Sequence, residues 1–232
     1  MNTVGHRVTP EYISRGQQII TTVRSKYQDI LVAHDPEYGH VLYLDDDLQV
    51  AESDDAYNKA MVDPIAEAGL LDHVLILGGG DGGVLHRALN RGAGRATLVD
   101  IDGEVISLSR RYLPRLCQDA FDDPRAQVIV GDAFTWLDEG REAPYSAIIY
   151  DLTMEPVRAG QTRLEFIDEI IRRMRDRLKP DGMITMQCCS GHDPQLATEI
   201  QDALERTFRQ AEQRSVTVPS YWEPWLFASA QL

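Results

Sequence analysis

Short apolar runs alternate with amphipathic stretches along most of this chain. Val74-Leu75-Ile76-Leu77, Ala96-Thr97-Leu98-Val99, Ala126–Val130, Ala147-Ile148-Ile149-Tyr150 and residues 183–186 are compact and mainly apolar, the pattern of strands buried on both faces of a parallel sheet. Between them, residues 84–91, 104–112, 133–138 and 164–178 carry apolar positions at helical spacing. A helix over 54–69 precedes the first run, with Ala56, Ala60, Met61, Ile65 and Ala66 along one stripe. Lys179-Pro180-Asp181-Gly182 predicts a helix stop after 178, because a basic last turn is followed by a Pro–Gly pair. A helix over 194–208 and two closing strands, 215–218 and 225–230, complete the series. This βαβ succession predicts an α/β fold, a doubly wound and mostly parallel sheet with helices on both faces.

The first fifty residues follow a different rule. Strand-like runs at 19–23, 29–33, 40–44 and 48–50 are separated by turn signals, notably 36–39 and Asp45-Asp46-Asp47. They predict a small N-terminal antiparallel β unit over residues 1–52, ahead of a Rossmann-like nucleoside-binding catalytic domain over 53–232. So small a unit cannot bury a core by itself and has to pack on the next domain or on a partner subunit.

Composition narrows the function. At 232 residues, 43% hydrophobic and 26% charged, the chain has the makeup of one sizeable globular domain with an appendage. No apolar run reaches the ~20 residues of a membrane span, and Met1 to Pro10 lacks the apolar core of a secretory signal. Three cysteines, two of them adjacent (Cys188, Cys189), form neither a disulfide framework nor a metal-ligand spacing, so a reducing cytoplasm and no metal are expected. A net charge of -14 argues against nucleic acid, whose phosphates it repels, and suits a small cationic substrate.

The sharpest motif is Leu77-Gly78-Gly79-Gly80-Asp81-Gly82-Gly83, between a strand and a helix. Glycines there allow a tight turn and close approach of a ligand to the free N–H groups of the helix start. Asp100 ends the next strand about 20 residues on, where a carboxylate can grip both hydroxyls of a ribose. Asp132 and Ala133 follow the third strand; Asp132 can accept from an adenine amino group, and is equally placed to cap the following helix. Asp81 sits oddly among amides suited to anions. It would repel a pyrophosphate, and equally the carboxylate of S-adenosylmethionine: like charges ~4 Å apart cost on the order of 4 kcal/mol at an effective dielectric near 20. A donor tail that ends in an amine would be attracted, and decarboxylated S-adenosylmethionine has such a tail.

With these pieces in order, the chain resembles the spermidine synthase (polyamine aminopropyltransferase) family from about Tyr27 to Ala230. Carrying the resemblance are residues 25–30, 42–45 with Gln49, 78–83, 99–102, 122–125, 131–133, 148–151, 187–190 and 218–221. It implies a sheet of the S-adenosylmethionine-dependent methyltransferase type and a homo-oligomer, a dimer. It implies that Gln28 and Asp100 hold the nucleoside with Gly78 and Gly80 beneath it, that Asp132 and Ala133 meet the adenine, and that Asp81 binds the aminopropyl amine. Asp151 would be the base that receives the acceptor's proton, while Tyr57, Asn58, Glu155 and Tyr221 would line the acceptor channel.

The sequence departs from the family on the acceptor side. The usual Asp-Ser-Ser/Thr-Asp-Pro reads Asp151-Leu152-Thr153-Met154-Glu155-Pro156, with Arg158 entering the loop; Tyr57 is followed by Asn58 rather than His or Gln; Trp222-Glu223 follow Tyr221. The chain also looks shorter than the family's members, chiefly at the N-terminus and after Asp151, which implies a more open acceptor pocket. Two other readings stay open at this point: an S-adenosylmethionine-dependent methyltransferase on the same scaffold, and a non-catalytic paralogue that binds a nucleoside or polyamine. Of the remaining residues, His86 reads as a surface histidine, Cys188-Cys189 as packed apolar residues, Trp222 and Trp225 as packing at a sheet edge, and Arg172, Arg173, Arg175 and Arg177 as a solvated helix face.

Overall fold

The computed structural model describes residues 16–142, 144–156 and 158–232. Four antiparallel strands come first: β1 (Gln18–Arg24), β2 (Asp29–Asp35), β3 (Gly39–Leu44) and β4 (Asp47–Ala51), paired in chain order. The β3–β4 turn places Asp45 and Asp46 at φ 49° and 71°, the left-handed pair a tight hairpin needs and a conformation aspartate tolerates.

Seven further strands form the main sheet: β5 (His73–Gly78), β6 (Arg95–Asp100), β7 (Ala126–Val130), β8 (Tyr145–Asp151), β9 (Leu178–Ser190), β10 (Gln210–Thr217) and β11 (Pro224–Gln231). Their spatial order is β10-β11-β9-β8-β5-β6-β7. β5 to β9 are parallel, and β11 runs antiparallel to β9 and β10. The chain winds outward from β5 in both directions, so the crevice outside the carboxyl ends of β5, β6 and β8 is where this topology binds ligands.

The helices are α1 (Asp55–Glu67), α2 (Gly83–Asn90), α3 (Gly103–Tyr112), α4 (Pro114–Cys117), α5 (Ala133–Glu139), α6 (Arg163–Arg175) and α7 (Pro194–Thr207). Strand alternation divides the core between the two faces. Val74, Ile76, Ile149 and Phe227 pack with Met61, Ile65, Leu85 and Leu89 of α1 and α2. Leu75, Leu77, Ile148 and Met186 pack with Ile170, Met174, Ile200 and Leu204 of α6 and α7. Each fully buried side chain of this size contributes about 1.5–3 kcal/mol. The N-terminal sheet rests Ile30, Val32, Leu42 and Val50 on Val105, Leu108, Leu113 and Leu116, so α3 and α4 join it to the main sheet.

Two local features differ from the sequence expectation. α6 opens with a capping box between Thr162 and Glu165 but ends at Arg175 rather than 178. Leu178 is instead drawn into the sheet opposite Tyr145, and the next pair is Ala147 with Met183. Lys179-Pro180-Asp181-Gly182 is therefore an irregularity within β9, with Asp181 at φ 63°, and not the helix stop. A second irregularity lies at the other end of β9. Leu226 pairs with Cys189 and Phe227 with Gln187, which leaves Cys188 as an extra residue. Gln187 and Ser190, three apart, consequently face the same side of the sheet. Cys188 and Cys189 both turn into the core on the α6–α7 side, which suits small apolar thiols.

Candidate active site

The glycine loop is shaped by what lies beneath it. Gly78 ends β5 at φ 83°, and a Cβ there would stand 2.2 Å from the Asp151 carbonyl oxygen, so only glycine fits. Gly80 donates its N–H to Asp100 Oδ2 at 2.9 Å, and a Cβ on Gly80 would fall 2.7 Å from that same oxygen. Asp100 Oδ1 accepts from the Asp102 N–H at 2.8 Å. Buried Asp102 accepts from Glu104 N–H at 3.1 Å to cap α3, and from Ser25 Oγ at 2.6 Å and Gln28 Nε2 at 3.0 Å. Through Asp102, the N-terminal sheet thus holds Gln28 beside the carboxyl end of β6, next to Asp100.

Asp132 caps α5, accepting from Phe134 N–H at 2.7 Å and Thr135 N–H at 3.0 Å, both on Oδ1. The capping reading holds, and it leaves Oδ2 outside both bonds. A cleft of about 300 Å³ adjoins Asp132 between α5 and α6, walled by Phe134 and Phe166 with Arg158 at its rim. Asp151 is not among its walls.

The chemistry concentrates at the ends of β5 and β8. Asp81 accepts from Gly83 N–H at 2.8 Å, and Asp151 ends β8 level with Gly78. Tyr57, on α1, donates its hydroxyl to Asp151 Oδ1 at 2.5 Å. Burial pushes the Asp151 carboxyl up to about 7, helped by the nearby negative charges of Asp81 and Asp100 and opposed by the Tyr57 hydrogen bond. Asp81 and Asp100 are raised as well, in each case chiefly by burial. Tyr57 and Tyr221 are held well above the usual phenol range by burial and by the Asp151 charge. Among the described residues no Lys or Arg forms an ion pair with Asp81, Asp100 or Asp151. Three carboxyls thus share a poorly solvated crevice with no cation to offset them.

An aromatic wall closes one side. Tyr57 packs edge-on against Phe227 (centroids 5.0 Å) and Tyr221 (6.3 Å), and Tyr221 against Trp225 (5.2 Å). Trp225 Nε1 donates to Gln187 Oε1 at 3.0 Å, and Gln187 Nε2 to the Leu152 carbonyl at 2.6 Å, which fixes the chain just past Asp151. Asn58 is buried against the start of α2: a Cβ on Gly83 would lie 2.8 Å from either terminal atom of its amide and 3.0 Å from Asp81 Oδ1. Glu155 is exposed and ion-paired with Arg163 at 2.9 Å. Arg158 pairs with Glu169, which also holds Arg173. His86 is half-buried beside Asn90, and Trp222 stands 62% exposed with its indole nitrogen donating to Tyr38.

Residues 55–231 match the family model described as the spermine/spermidine synthase domain, and residues 17–52 the spermidine synthase tetramerisation domain. The chain belongs to the spermine/spermidine synthase family. Among its relatives is the polyamine aminopropyltransferase of Aeropyrum pernix, 34% identical over 92% of this chain and 69% of that protein. The polyamine aminopropyltransferase of Pyrobaculum calidifontis is 36% identical over 85% of this chain and 70% of its own. In three dimensions the chain is similar to the spermidine synthase of Thermotoga maritima, with a TM-score of 0.77 and 25% identity over 92% of this chain and 72% of that one. A spermidine synthase in complex with the transition-state analogue AdoDATO superimposes with a TM-score of 0.78 at 25% identity, over 92% of this chain and 72% of that chain.

Within this family frame the structure brings Tyr57, Asn58, Asp81, Asp151 and Tyr221 together, and Gln28 with Asp100. Sequence reasoning passed over Asp102 as the link between those two, Gln187 as the brace behind Asp151, and buried Asp54, which accepts from Ser220 Oγ at 2.5 Å and Ala51 N–H at 2.7 Å. Asp102 stands in the same Val99–Asp102 stretch as Asp100, and an acidic residue directly before a helix is a readable cap signal. Gln187 and Asp54 show no comparable local sign.

Proposed function

We propose that this protein is a polyamine aminopropyltransferase, moving the aminopropyl group of decarboxylated S-adenosylmethionine to an amine acceptor and releasing methylthioadenosine. What carries the reading is the uncompensated group of Asp81, Asp100 and Asp151. It welcomes a donor tail that ends in an ammonium and an acceptor that is itself a cation, and it disfavours a tail bearing a carboxylate. Asp100 with Gln28 takes the ribose, Asp132 and Ala133 the adenine, and Asp81 the aminopropyl amine.

The acceptor nitrogen attacks the methylene carbon beside the sulfonium sulfur. A C–N bond forms, the C–S bond breaks with its electron pair passing to sulfur, and the ammonium proton goes to Asp151. An ordinary aspartate is too weak a base for this, whereas a carboxyl raised to about 7 is closer to the working range. Alignment of the two reactants supplies a further ~7–11 kcal/mol. The unit over residues 1–52 serves assembly into a homo-oligomer, a dimer, and lends Gln28 to the ribose, while residues 53–232 supply the rest of the site, in a cytoplasmic setting.

Calorimetry with the two donors tests the reading: the decarboxylated form should bind at least tenfold more tightly than S-adenosylmethionine, and methylthioadenosine should appear once an amine is added. Tighter binding of the carboxylate-bearing donor would turn the assignment to a methyltransferase.

A further inference from the structure

The two oxygens of Asp102 serve different parts of the molecule, although its side chain is only 2% exposed. Oδ1 accepts from Glu104 N–H at 3.1 Å, within α3 of the main domain. Oδ2 accepts from Ser25 Oγ at 2.6 Å and from Gln28 Nε2 at 3.0 Å, both in the turn between β1 and β2. Ser25 also holds the main chain of that turn, its Oγ accepting from Tyr27 N–H at 3.0 Å and Gln28 N–H at 3.1 Å. Gln28 is thus fixed at its backbone by Ser25 and at its amide by Asp102. The Asp102 N–H, in turn, donates to Asp100 Oδ1 at 2.8 Å.

This arrangement has a polarity. A carboxylate only accepts, so the Gln28 amide has to turn its nitrogen toward Asp102. Oε1 is then the atom presented on the other side, and among the described residues no group meets it. Asp100 has the same character. Its Oδ2 takes Gly80 N–H and its Oδ1 takes Asp102 N–H, which leaves a second lone pair on each oxygen. Gln28 and Asp100 together offer acceptors and no donor. Such a pair suits a vicinal diol that donates both protons, and it opposes a sugar whose hydroxyl has become an ether or a phosphate, groups that only accept.

Building on the ribose placement in the proposed function, we infer that Asp102 is a positioning residue for the donor: it sets the hydrogen-bond polarity of Gln28 and so makes the site select an unmodified ribose diol. Asp102 acts through Gln28. Because Ser25 and Gln28 belong to the N-terminal unit and Asp102 to the main domain, the polarity is set only when the two are seated together.

Calorimetry with methylthioadenosine on the whole chain tests the inference. Gln28→Ala deletes one hydrogen bond and weakens binding about 3- to 10-fold. Gln28→Glu weakens it about 100-fold, because the introduced carboxylate faces Asp102 at hydrogen-bond distance with no proton between them. Asp102→Asn lets the Gln28 amide turn over, a loss of about 3- to 10-fold. Combining Gln28→Glu with Asp102→Asn reverses the polarity of the pair at unchanged total charge, the introduced amide now donating to the introduced carboxylate. Affinity then returns to within about fivefold of the parent, a recovery that a residue needed only for folding would not give. The 2′-deoxy and 3′-deoxy forms of the nucleoside bind the parent more weakly, and one of these two penalties disappears in Gln28→Ala.

The two Gln28 variants leave the α3 cap intact, so their comparison holds even where Asp102→Asn does not fold. Equal affinities in Gln28→Ala and Gln28→Glu overturn the inference, as does a folded double variant no better than Gln28→Glu alone. If Gln28→Ala binds methylthioadenosine as the parent does, Gln28 is not at the ribose; the inference falls, and aminopropyl transfer, read separately by methylthioadenosine release, stands. Failure of the parent to bind methylthioadenosine at all would remove the proposed function as well.

Discussion

Tyr57→Phe isolates the tuning of the base. The substitution keeps the ring packed on Phe227 and deletes only the hydroxyl that donates to Asp151 at 2.5 Å. That bond favours the ionised carboxylate and opposes the burial that lifts Asp151 to about 7. A hydrogen bond to a charged group contributes about 1.5–3 kcal/mol, equivalent to roughly one to two pKa units. Its loss therefore carries Asp151 to about 8–9. At pH 7 the ionised fraction falls from about one half to between a tenth and a hundredth, so kcat/KM for the acceptor drops roughly 5- to 50-fold and is largely regained near pH 9.5. The assay is the pH profile of kcat/KM for one acceptor in both proteins, with donor saturating; the acceptor's own titration is common to the two and cancels in their ratio. A loss of equal size at every pH, or a midpoint that stays or moves down, would refute the reasoning.

Two further outcomes follow from the same geometry. Asp151→Asn should reduce turnover by about 10²–10⁴-fold and stabilise the ligand-free protein. Because the folded carboxyl holds its proton up to about 7 while the unfolded one releases it near 4, stability falls as pH rises through that window. The gain from Asp151→Asn is then about 4 kcal/mol at pH 8 and about 1.5 kcal/mol at pH 5, read by chemical denaturation at both values; an equal gain at both would contradict it. Gly78→Ala puts a methyl 2.2 Å from the Asp151 carbonyl at a φ of 83°. It should lower stability by about 2 kcal/mol or more and activity by about 10²-fold through displacement of the base, whereas a normal kcat would show that the loop yields without moving Asp151.

Much of the fold is legible because buried parallel strands are written as short apolar runs. The five strands from Val74 to Met186 stand where those runs stand, and the glycine loop and Asp100 fall at the strand ends expected of them. The irregularities were hidden, because a bulge is decided by the partner strand. Nothing local distinguishes Cys188 as the unpaired residue until Leu226 and Phe227 are in register, and Lys179–Gly182 imitates a helix stop until Leu178 pairs with Tyr145. The same limit applies to charge. Asp151 is raised by burial first and then by Asp81 and Asp100, all of which arise only when β5, β6 and β8 are side by side. Nothing around Glu155 in the sequence announces its ion pair with Arg163, which opens α6. Side-chain identity could be read ahead of folding; partnership could not.

The run from Ser220 to Pro224 also bears on how this enzyme can be altered. Ser220 is held by Asp54, Tyr221 by the Gln49 carbonyl, Trp222 by Tyr38, Glu223 by Ser190 and Pro224 by the Gly191 N–H, so an insertion or deletion among them would slip several anchors at once, while an exchange of side chains at a single position disturbs one. A stretch with that property behaves as a strap of set length. Variation along it is tolerated in the identity of its exposed side chain, Trp222, sooner than in the number of its residues.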